Sequence, residues 1–174
     1  LTLDGLAPAE QVDLVAARAP GCRREAVEEA LRGAADRASP LYLGLAAARL
    51  ATAPDAPEKS GTIVGAFDGF LAELVAGEQG RLVREMLCAV AVSEGGVFSS
   101  QLPGILGVER SALASVASSR GDRLGLFVRE VRSPDGGDLL FLRFVHQQAR
   151  DAVERAILRG ARDLEHQRLA AYYV

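Results

Sequence analysis

Few side chains in this 174-residue sequence have the chemistry to react, to bind a metal or to hold an ion. The two histidines are His146 and His166, and the two cysteines are Cys22 and Cys88. His146 stands in LRFVHQQARDAV, where a strand should end and a helix begin. A hydrogen-bond donor at such a junction can hold an anion supplied by a second domain. The plainer role for it is a helix-start histidine satisfied by its own backbone. His166 falls among charged residues in mid-helix and reads as solvated. Cys88 sits on an apolar helical face, as a small core residue does, while Cys22 follows Pro20-Gly21 and is expected at the surface. Neither cysteine has a His or Asp at ligand spacing or a base placed to make a thiolate, so no catalytic residue and no metal ligand is assigned. Acidic pairs such as Glu28-Glu29 and Asp151/Glu154 lie beside arginines at helical spacing and read as surface ion pairs. Gly95-Gly96 and Gly136-Gly137 are turn glycines. The sequence has no P-loop, GxGxxG, HExxH or GxSxG motif. The chain by itself is therefore not expected to be an enzyme.

The elements that would position these residues follow from periodicity. The stretch Ala51–Gly61 concentrates Pro, Gly, Ser and charge and reads as an exposed, mobile linker. Before it, three short helices are expected. The first opens near Pro8 with Val12, Leu14, Val15 and Ala19 as its stripe. The second, RREAVEEALRGAADR, carries Ala26, Val27, Ala30, Leu31 and Ala34. The third opens at Ser39-Pro40, a hydroxyl cap followed by proline, and is apolar nearly all round, so it should be buried. After the linker come two long helices. TIVGAFDGFLAELVAG presents Ile63, Phe67, Phe70, Leu71 and Leu74; GRLVREMLCAVAVSEGG presents Leu82, Val83, Met86, Leu87 and Val90. Val97-Phe98 could form a short strand. Ser99-Ser100 should cap a short helix, SQLPGILGV. Another helix, ERSALASVASS, should turn Leu113, Val116 and Ala117 inward. LGLFVREVR and DLLFLRFV alternate with period two around SPDGG, the signature of a β-hairpin. HQQARDAVERAIL and ARDLEHQRLAAYY close the chain as helices. From Gly80 to Val145 this is the element order of a winged helix. The expected fold class is mainly α: a small helical bundle followed by a winged-helix domain with a β-hairpin wing and closing helices. The expected domains are 1–51, a small helical domain; 52–61, a linker; 62–145, the winged helix with its preceding helix; and 146–174, the closing helices.

Composition agrees with a helical protein. Thirty residues are Ala, 19 of the 20 basic residues are Arg, and only nine are aromatic. That bias also suits a GC-rich bacterial source. The net charge of −3 excludes a strongly basic nucleic-acid binder by bulk charge. No apolar run approaches the roughly 20 residues of a membrane span, and no signal peptide is visible, so a cytoplasmic location is expected. The chain opens LTLDGLAPAEQ without an initiator Met and is read as part of a larger protein. The expected recognition helix, 109–120, has a small, nearly neutral face of Ser111, Ala114, Ser115 and Ser118. Between Gln79 and Val145, eight Arg face seven Asp or Glu. Such a surface suits packing against protein better than against phosphate.

The Ser-Pro-Leu-Tyr-Leu helix start in a small helical domain, followed by a winged helix ending in FVH, resembles the C-terminal half of a STAND-type nucleotide-binding module, the class of NACHT and NB-ARC proteins. The closing HQRLAAYY resembles the segment that precedes their repeat region. The resemblance implies that Pro40 packs on the nucleotide base and that His146 contacts the β-phosphate of ADP and holds the module closed. The sequence departs from the pattern at Ala38, where the family has glycine, and at Val145 and Gln147, which flank the histidine in place of Met and Asp. By this resemblance the chain is the non-catalytic lid of an ATP/ADP switch in signal transduction. Its cofactor, ADP or ATP, would be held together with an NTPase domain that lies upstream, and the fragment alone needs none. Its partners would be that NTPase domain, a downstream repeat or sensor domain and, after activation, further copies of the protein. DNA and membranes are not expected partners. Two other readings stay open: a winged-helix DNA-binding transcription regulator, and a plain protein-interaction module using Leu169, Tyr172 and Tyr173.

Overall fold

Proline at the first position of a helix costs no hydrogen bond, and the sequence uses it twice to open helices in its N-terminal part. Helix α1 (Pro8–Arg18) starts at Pro8, and the Ala7 N–H donates to Glu10 Oε2 at 2.7 Å. Helix α2 spans Arg24–Leu31, and α3 (Pro40–Thr52) starts at Pro40. The computed structural model describes residues 6–54, 60–93, 95–132, 140–159 and 162–173. It divides into two compact units, Leu1–Gly69 and Phe70–Val174, and α4 (Ile63–Leu74) contributes residues to both. Among the described residues, no helix is long and apolar enough to cross a membrane.

In the first unit, Val12, Val15, Val27, Leu31, Tyr42, Leu43, Ala46 and Leu50 interlock in one core. Burying each large apolar side chain contributes roughly 1.5–3 kcal/mol, which is what holds three short helices together. Helix α3 is buried over most of its surface, as its composition requires. Helix α2 ends at Leu31, six residues short of the expected end at Arg37. Gly33 takes φ +72, a left-handed backbone that stops the helix, yet Ala34 beyond it is still buried. Ser39 occupies the N-cap of α3, but its hydroxyl makes no capping bond. Asp36 instead reaches the start of α4, where its Oδ2 accepts the Ile63 N–H at 2.7 Å across 27 residues of sequence. Residues 55–59 of the expected linker lie outside the described residues.

The second unit is built around α5 (Gly80–Val92). Met86 through Val92 are all buried, so the second half of this helix is enclosed on every side rather than on one stripe; Arg81 and Arg84 in its first half are exposed, and Leu82, expected on its inner face, is only half-buried. Against it pack α6 (Leu102–Leu106), α7 (Arg110–Leu124), α8 (Gln147–Val153), a π-helical turn (Glu154–Leu158) and α9 (Arg162–Tyr172). Three antiparallel strands complete the unit: β1 (Val97–Phe98), β2 (Val128–Arg132) and β3 (Leu140–Phe144), in the spatial order β1-β3-β2. Val97 opposes Leu142, and Val128 opposes Phe144. The chain is therefore mainly helical with one small antiparallel sheet. The hairpin connection SPDGG, with Gly136-Gly137, lies outside the described residues.

Four local expectations are corrected. Helix α6 is capped by Gln101, not by Ser99-Ser100, because the Ser99 N–H is still engaged to the Leu140 carbonyl at 2.9 Å and the helix cannot begin there. Helix α7 runs to Leu124, and β2 starts only at Val128. The Gly125 N–H bonds to the Gly121 carbonyl at 2.8 Å, closing another helical turn where alternation suggested a strand. Ala117 is exposed, and of α7 only Val116 and Leu124 are buried. The first closing helix widens after Val153 into a π turn, which periodicity could not distinguish from α-helix.

Candidate functional site

The second unit places His146 at the junction that its sequence context predicts. Strand β3 ends at Phe144, and the Val145 N–H is held by the Phe127 carbonyl at 2.8 Å. Phe127 is fully buried, so this bond fixes the end of the strand to the core. His146 follows in extended conformation (φ −140, ψ 151) as the N-cap of α8, and its carbonyl accepts the Arg150 N–H at 3.3 Å. Its imidazole is exposed and makes no hydrogen bond among the described residues. The plainer role, a ring satisfied by its own helix start, is not the arrangement seen.

His146 borders an open depression of about 160 Å³ together with Ser93, Gly96, Arg143, Gln147 and Arg150. Among the described residues lining it, none is acidic. Arg150 is already committed: its Nη2 donates to the Ala91 carbonyl at 2.9 Å and its Nε pairs with Glu154 at 2.9 Å. Gln147 donates to Asp151 at 2.7 Å. Arg143 makes no hydrogen bond or ion pair among the described residues. Its stem lies against Gly96, at φ +98, where an added Cβ would fall 2.6 Å from Arg143 Cγ and 2.6 Å from the Leu142 carbonyl oxygen. Only glycine fits, and its absent side chain lets the β1 approach run close under β3. The result, among the described residues, is a shallow site with one uncommitted cation and one imidazole, while Glu154 and Asp151 are engaged with Arg150 and Gln147. Such a site attracts an anion. Its volume is below the about 300–1,000 Å³ typical of pockets that enclose a whole drug-sized ligand, so it fits one face of a phosphate-sized group.

Arg143 and Arg150 were not assigned to the site from sequence. Their signal was the spacing: Arg143, His146 and Arg150 follow at three and four residues, so one chain reversal from strand to helix gathers them. Pro40 lies in the first unit, exposed, as the first residue of α3. His146 lies in the second, and each is described within its own unit. His166 is exposed on α9, Cys22 is half-buried, and Cys88 is buried in α5. Burial pushes the Cys88 thiol up to about 12, which removes it as a nucleophile near neutral pH. Among the described residues no three His, Cys, Asp or Glu side chains gather as a metal site would require.

Two arginines of α7, Arg120 and Arg123, are engaged with the end of α4, while Arg110 at its start is exposed. Arg120 donates through Nη1 to the Leu74 carbonyl and through Nη2 to the Ala76 carbonyl at 2.8 Å, closing the end of α4. Arg123 pairs with Glu73 at 3.2 Å. Gln79 joins Ser115 and Ser119 at 3.0 and 2.7 Å. Helix α7 is thus fastened to the α4–α5 corner by polar contacts. No known family model matches the chain, and no curated protein or solved structure matches it.

Proposed function

We propose that the second unit is a winged-helix domain and that the chain is the non-catalytic lid of a nucleotide-dependent switch of the STAND type. The element order α5-β1-α6-α7-β2-β3 and the sheet order β1-β3-β2 support the winged-helix reading. The observation that carries the functional reading is the uncommitted His146 imidazole beside Arg143 in a depression with no acidic residue among its described lining. In this proposal His146 donates to the β-phosphate of ADP, and Pro40 contributes an apolar surface for the base. An NTPase domain outside this sequence supplies the P-loop. Exchange for ATP removes the His146 contact and shifts the population to an open form, which requires that the two nucleotides interact differently with it.

The test uses the natural full-length protein: purify it, denature it and identify the nucleotide released. Stoichiometric ADP is expected; no nucleotide would sink the proposal. A charge-assisted hydrogen bond is worth about 1.5–3 kcal/mol, so His146→Ala should weaken ADP by roughly 10- to 150-fold. Wild-type ADP affinity in that variant would refute the role of His146. The engagement of Arg120 and Arg123 within the chain favours a protein-facing α7 over a DNA-reading one.

A further inference from the structure

The sheet has an open edge. Strand β3 pairs with β1 on one side and β2 on the other, so among the described residues the far side of β2 is unpaired. The bond from the Val145 N–H to the Phe127 carbonyl fixes which backbone groups point where. Antiparallel pairs alternate, so the Phe127 carbonyl and the backbone groups of Arg129 and Val131 turn toward β3, while Val128, Glu130 and Arg132 turn theirs outward. Open strand edges of this kind recruit further strands unless they are covered.

A groove of about 400 Å³ borders β2 and is lined also by α7, Met86 of α5, Leu102 of α6 and Leu142 of β3. Leu113, Val116 and Leu124 of α7 and Val128 of β2 form its apolar wall. Ala117 and Gly121 present almost no side chain there, which leaves the groove open. An open strand edge that borders an apolar trough is an arrangement by which domains take up an extended peptide. Main-chain bonds to the edge supply affinity, and alternate side chains drop into the trough.

The charge on the opposite face of β2 specifies the partner. Arg129 lies directly across from Arg143, both exposed, and neither makes a hydrogen bond or ion pair among the described residues. Like charges in directly opposed positions destabilise a sheet. A carboxylate on a neighbouring strand would relieve this repulsion.

We infer that β2 takes up an extended segment of a partner protein as a fourth strand, with aliphatic side chains entering the α7–β2 groove and acidic side chains alternating with them beside Arg129. The inference shares Arg143 with the nucleotide proposal but does not use His146, and its test variants at Glu130 and Ala117 lie outside that depression.

The test is a random dodecapeptide library displayed on phage, selected on the 174-residue chain and counter-selected on Glu130→Pro. Proline there removes an outward N–H and leaves the bonds from Arg129 and Val131 to β3 in place. The expected consensus alternates aliphatic and acidic residues. The synthetic consensus peptide, followed by fluorescence anisotropy, should bind at least about tenfold more weakly to Glu130→Pro and to Ala117→Phe, which fills the groove from an exposed position. Replacing its acids by lysine should cost a similar factor. Absence of enrichment, a consensus without acids, or equal binding to both variants would overturn the inference. Self-association that Glu130→Pro abolishes would also overturn it, by making a second copy the occupant.

Discussion

Arg120 is the side chain on which the placement of α7 most depends. Its guanidinium reaches the carbonyls of Leu74 and Ala76, groups left without helical partners where α4 ends. A third contact, to the Glu73 carbonyl at 3.4 Å, is marginal and contributes little. Hydrogen bonds to a charged donor contribute about 1.5–3 kcal/mol each when shielded from water. The Ala76 bond is exposed, and water replaces it when the donor is lost, so its share is small. The Leu74 bond is partly buried, in a residue only 1% exposed. Arg120→Ala should therefore cost about 2 kcal/mol, most of it from leaving the Leu74 carbonyl unsatisfied. With a denaturant dependence of about 1–3 kcal/mol per molar urea, the midpoint of the second unit should fall by about 1 M. Urea titration followed by far-UV circular dichroism measures this directly. Arg120→Lys keeps the charge but cannot span two carbonyls as the planar guanidinium does, and should recover about half of the loss. A midpoint for Arg120→Ala indistinguishable from wild type would refute the clamp and leave apolar packing at Val116 and Leu124 as what holds α7.

Three further outcomes are expected. Thiol labelling of the native protein at pH 8 should modify Cys22 and spare Cys88 until denaturant is added, because burial holds the Cys88 thiol up at about 12; equal rates would contradict the buried α5 face. The same shift has a sign for stability: the unfolded thiol ionises near 9 while the folded one does not, so stability from this group is complete below pH 9 and declines as pH rises toward 12. Cys88→Ala should flatten that decline, and an unchanged alkaline profile would assign it elsewhere. Gly96→Ala should destabilise the protein by about 1–3 kcal/mol, through a left-handed backbone and a Cβ that collides with Arg143 and Leu142. A thermal midpoint equal to wild type would show that β1 can move away from β3 without penalty.

How much of this was legible in the sequence depends on whether the physics was local. Apolar spacing, proline at N1 and the alternation of the hairpin segments are local signals, and they placed every helix core, the short strand Val97-Phe98 and the strand-to-helix junction at His146. Ends were harder, because they depend on competing partners. The start of α6 is delayed by a bond from Ser99 to a strand 41 residues away, and the hydrogen-bond closure at Gly125 carries α7 past the point where alternation begins. Periodicity alone likewise gave no sign that Arg120 and Arg123 would face the end of α4 instead of solvent.

The candidate site divides in the same way. Sequence alone singled out His146, because a donor between a strand and a helix stands out in any chain with two histidines. Its companion Arg143 becomes part of the site only because Gly96 lets β1 pass beneath β3 and supports the arginine stem. The open edge of β2 is likewise a product of topology. The sequence of β2 shows alternation, but the order β1-β3-β2 decides that its outer backbone groups have no strand to bond. Sequence therefore determined which elements form and which faces they bury, since propensity and amphipathicity act within a few residues of each other. Tertiary structure decided which cations are spent inside the fold, which remain free at its surface and where an edge stays unpaired, since those outcomes follow from contacts between residues tens of positions apart.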